Sequence, residues 1–153
     1  MRPGLVGLLF LVTAGPAVAA DPPRVRVTVV AVLATTENNV IDPKLTALAR
    51  EVQKREPALI GFRLVGSEAR SLPVGTPESF VLVEKQDLRV TVDEPRTQDG
   101  RYGLTIRPPG AGEISYTCAC SKFFPVLTPH QTAAGDRLLV AVMAKPCTPP
   151  AKK

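Results

Sequence analysis

Apolar and polar residues alternate from Arg24 to Val29, and the stretch 29–34 that follows is apolar without a break. Alternation is the period of a strand with one face in water. A short unbroken apolar run is the mark of a strand covered on both faces. Residues 138–143 read the same way, so 27–33 and 138–143 are expected to be the central strands. Between them, Asp42 followed by Pro43 has the form of a helix N-cap and first-turn proline. Leu45, Leu48, Ala49 and Val52 then fall on one helical stripe. Lys44, Arg50, Glu51, Lys54 and Arg55 take the other face, with Glu51 and Arg55 spaced for an i,i+4 pair. The helix is expected over 42–56, stopped at Glu56-Pro57.

Ile60, Phe62 and Leu64 alternate with Gly61, Arg63 and Val65, which predicts a second strand and a βαβ or split-βα unit. Beyond it the pattern is all strand. Segments 80–83 and 88–92 are followed by Asp99-Gly100, the turn of a hairpin over 88–107. Ile114, Tyr116, Cys118 and Cys120 share one parity and are expected to face the core. Further inward positions include Val29, Val32, Ile60, Phe62, Leu64, Phe80, Val90, Leu104 and Ile106. The fold class is α+β: one amphipathic helix packed on a mainly antiparallel β-sheet or small β-sandwich of six to eight strands. Sixteen prolines fit many short elements separated by turns.

The N-terminus changes the picture of where this domain works. Arg2, the apolar run 5–12 and the small residues 17–20 have the layout of a signal peptide. The run is too short for a permanent membrane span. The expected organisation is a signal peptide over 1–20, one domain over 21–147 and a disordered tail over 148–153. No later stretch approaches the length of a transmembrane segment. The chain is expected to be exported, periplasmic or secreted. Loss of Arg2 lowers the formal charge from +5 to +4, and the basic residues are scattered among acidic ones. That pattern predicts no nucleic-acid partner.

Candidate chemistry is confined to three cysteines, Cys118, Cys120 and Cys147, and the one histidine, His130. In an oxidising compartment a disulfide is expected. Alternate residues of one strand hold their Cβ atoms too far apart to bond without a bend. Cys147 is therefore the better partner, with Cys120 or Cys118. A rival arrangement gathers Cys118, Cys120, His130 and Cys147 as ligands for zinc or copper, although the spacing matches no standard metal pattern. A third is thiol–disulfide exchange through Cys118-Ala119-Cys120. His130, between Pro129 and Gln131, is expected in a loop. No Gly-x-Ser-x-Gly, phosphate loop, H-E-x-x-H or EF-hand pattern occurs, and no cofactor is implied. The expected function is a small exported non-catalytic binding or structural module that contacts an unknown protein partner. The alternative is a periplasmic metal-binding or thiol-redox protein.

Overall fold

The computed structural model describes residues 15–17, 23–94 and 97–146. Most of the expected leader, Cys147 and the 148–153 tail lie outside the described residues. Eight strands are present among those described: β1 (Arg24–Thr35), β2 (Gly61–Pro73), β3 (Glu78–Val81), β4 (Asp87–Glu94), β5 (Arg101–Arg107), β6 (Ile114–Ala119), β7 (Phe124–Gln131) and β8 (Arg137–Pro146). They form two four-stranded sheets, in the orders β2-β1-β8-β7 and β3-β4-β5-β6. Neighbouring strands pair antiparallel throughout.

The two unbroken apolar runs are the two inner strands of the first sheet. Along β1, Val25, Val27, Val29, Ala31 and Leu33 point into the core between the sheets. The residues in between, Val30, Val32 and Ala34, enter a second core on the opposite face. Strand β8 divides likewise, with Leu138, Val140 and Val142 in the first core and Leu139 and Ala141 in the second. A strand that borders two cores has no polar position to offer, which is why its alternation is lost.

The second core lies under α1 (Thr46–Gln53), the one α-helix among the described residues, which is shorter than the 42–56 expected. Asp42 does cap the start, its Oδ1 accepting from the Lys44 backbone N–H at 2.9 Å, but Pro43–Leu45 winds as a 3-10 turn. Leu45, Ala49 and Val52 are the buried stripe. Glu51 pairs with Lys54 at 2.6 Å rather than with Arg55. The strands that flank the helix pair antiparallel, so this unit is not the parallel βαβ crossover. Its chain turns back over the sheet and re-enters beside the strand it left, with Ile60 N–H donating to Thr35 C=O at 2.9 Å.

Entry into β2 corrects one core assignment. Ile60 is exposed and Leu59 is buried instead. Gly61 explains the shift: a Cβ there would lie 2.5 Å from the Asn38 carbonyl and 2.6 Å from Thr35 Cγ2, so the chain passes where only glycine fits. In the second sheet, β4 and β5 form the expected hairpin, with Gly100 at φ 73° in its turn. Phe80, Leu88, Val90, Val92, Tyr102, Leu104 and Ile106 close the first core from that side. No helix among the described residues is long and apolar enough to cross a membrane.

Candidate functional site

Strand β7 is one outer edge of the first sheet. Cross-strand partners share a face, so Leu127 opposite Leu139 puts both on the helix side, and both belong to the second core. Helix α1 covers this edge only in part. A groove of about 650 Å³ remains between them, with Leu48, Val52, Phe123, Pro125, Leu127 and Leu139 among its walls. Phe123 is 42% exposed. Glu51, Arg55, Glu56 and Lys122 stand around the rim. The volume is in the range of ligand-binding clefts. The floor suits apolar side chains, and the mixed-sign rim suits a polypeptide more than a simple ion. Residues 123–127 are apolar in the sequence, but nothing local says that helix α1 leaves them half uncovered.

His130 lies within β7, not in a loop. Leu127 pairs with Leu139 and Gln131 with Arg137. Four steps on one strand therefore oppose two on the other, and the surplus bulges out. Buried Thr128 holds the bulge: its hydroxyl donates to Leu138 C=O at 2.8 Å and accepts from the His130 N–H at 3.3 Å. The bulge aims the imidazole at Glu84, with Nε2 2.7 Å from Oε2. Glu84 and Lys85 follow β3, and both have left-handed backbones, φ 54° and 57°. Such conformations cost about 1–2 kcal/mol for each non-glycine residue. The pair joins the two sheets across one end of the sandwich, and 46 residues separate its members in sequence.

The cysteines are at the other end. Cys118 is buried on the inner face of β6 beside Tyr116, as its parity predicted. Tyr116 in turn stacks on Phe124 of β7, ring centroids 3.9 Å apart. Cys120 is half-buried just beyond β6, and the following Ser121 N–H donates to Ala144 C=O at 3.0 Å. Both thiols are free. Burial raises the Cys118 pKa above its ordinary value, which disfavours the thiolate that exchange chemistry needs.

Of the rival metal-ligand set, the described members His130 and Cys118/Cys120 are not gathered. His130 precedes Gln131, which pairs with Arg137 at the start of β8. The cysteine turn is bonded to Ala144 near the end of that strand. Seven steps of strand separate the two positions, roughly 23 Å. No group of three or more potential metal ligands forms among the described residues. Cys147, the fourth member and the expected disulfide partner, lies outside them. Comparison adds no relative from which roles could be carried: no protein-family model matches the chain, and no curated protein or solved structure resembles it at a significant level.

Proposed function

We propose that this protein is a small exported, non-catalytic binding module that holds a segment of a partner protein in the groove between α1 and β7. The observation that carries this reading is the groove itself: an apolar floor with a half-exposed phenylalanine, left open at a sheet edge and ringed by charges of both signs. Protein-recognition sites combine an aromatic or aliphatic anchor with a polar rim in this way. The partner segment therefore presents a large apolar side chain to Leu48 and Phe123, with flanking charged residues for Glu56, Arg55 and Lys122.

Two further features support the reading. His130, the chain's one imidazole, is engaged in tying the sheets together, and Thr128 in shaping the strand bulge. The leader pattern at residues 1–20 supports export. Phe123→Asp tests the proposal. It places a charge at an exposed position, so the melting temperature should stay within a few degrees of wild type. A partner captured by the wild-type protein from the exported fraction should lose at least tenfold in affinity for the variant, or about 1.4 kcal/mol. Equal binding by both proteins, or no binding by either alongside turnover of a small substrate, would overturn the proposal.

A further inference from the structure

The two sheets have four outer edges, and three of them are obstructed. Strand β7 carries Pro125 and Pro129, each lacking an N–H to donate. In β2 the register shift leaves Val65 unpaired opposite Ala31 and Val32, and charged Arg63, Glu68 and Arg70 line the strand. Strand β3 is four residues long, and its Ser79 carbonyl already accepts from Arg70 Nη1 at 2.9 Å. These are the devices by which sheets avoid unwanted edge pairing. Strand β6 is blocked at one end only, where the Ala119 carbonyl accepts from the Lys122 N–H at 3.3 Å. Its sequence, Ile114-Ser-Tyr-Thr-Cys-Ala119, contains no proline, glycine or charge, and its register against β5 runs unbroken from Ala119 to Ile114.

We propose that β6 is a self-association edge, at which a second copy of this chain adds its own β6 antiparallel about a two-fold axis through Tyr116. The two four-stranded sheets then join as one sheet of eight. A two-fold contact uses the same patch twice, and this patch is neutral, so an otherwise cationic chain meets its copy without like charges opposed. The register follows from charge complementarity. With Tyr116 opposite Tyr116 of the copy, Glu113 of the copy lies beside Ala119. Ala119 pairs on its other side with Arg101 of β5. Arg101, Ala119 and Glu113 have the same outward parity, and both charged residues are exposed. Two strand spacings, about 10 Å, separate Arg101 from that glutamate, and only the methyl group of Ala119 stands between them. Long side chains span this distance, and the symmetry makes the pair twice. One register step further, Ser115 meets Thr117 of the copy, which extends the hydroxyl row in which Thr105 Oγ1 already bonds Asp93 Oδ2 at 2.5 Å and lies 2.8 Å from Ser115 Oγ.

Sedimentation velocity of the purified protein across a concentration series should show a reversible monomer–dimer equilibrium. Glu113→Arg should raise the dimer dissociation constant about tenfold or more, while the double variant Glu113→Arg/Arg101→Glu should restore it. Circular dichroism confirms that each variant is folded. A monomer at every concentration overturns the proposal. A dimer indifferent to Glu113→Arg, or one that the charge swap fails to rescue, does so as well. The groove under α1 is tested separately by Phe123→Asp on the other sheet, so the two proposals fail independently.

Discussion

At the scale of single residues, environment separates side chains that the sequence presents as equals. Cys118 and Cys120 are two residues apart and of one parity, yet Cys118 is buried on β6 and Cys120 sits half-buried in the turn after it. Burial raises the Cys118 pKa, so less of it is thiolate at neutral pH, and access is restricted too. Limiting iodoacetamide on the native reduced protein, followed by peptide mass mapping, should find Cys120 modified well before Cys118. Denaturation should abolish the difference. Parity was enough to place Cys118 in the core. It could not place His130, because the surplus residues of the β7 bulge break the alternation and its partner Glu84 is remote in sequence.

At the scale of elements, legibility followed burial. The two inner strands of the first sheet were readable because bordering two cores strips a segment of polar residues. The helix was readable as a stripe but not in length, since its cap bonds a 3-10 turn and the last residues of the 42–56 stretch are exposed. The Ile60–Leu59 exchange turned on Gly61, whose crowding depends on a loop over 20 residues earlier. The consequence is measurable. Phe62, 2% exposed in the second core, should cost about 3–5 kcal/mol on replacement by alanine. Ile60→Ser, two residues away and 36% exposed, should cost less, about 1–2 kcal/mol. Urea denaturation of the two variants checks the contrast. Similar losses would mean that the strand entry is assigned one residue out of phase.

For the molecule as a whole, no disulfide forms among the described residues, and a sulfur tether through Cys147 stands as a proposal. Ser121 is bonded to Ala144, and three residues of chain, at most about 11 Å, lead from there to Cys147. Cys120 is the more accessible of the two free thiols, so the proposed pairing is Cys120 with Cys147. Closing that loop of about 28 residues contributes roughly 3–4 kcal/mol in the chain-entropy picture. Under oxidising conditions Cys147→Ser and Cys120→Ser should therefore lower the denaturation midpoint alike, and each should add a second titratable thiol. Adding a reductant should erase the gap from wild type. Equal stability of oxidised and reduced wild-type protein would remove the tether.

The pairing of β1 with β8 joins the first of the described strands to the last. Neither core can close until residues 24–146 are all present, because both need that central ladder. Such long-separated pairing is slow to nucleate. A chain still on the ribosome stays open and pliable, and under the proposed export that delay would give it time to pass a translocation channel before folding.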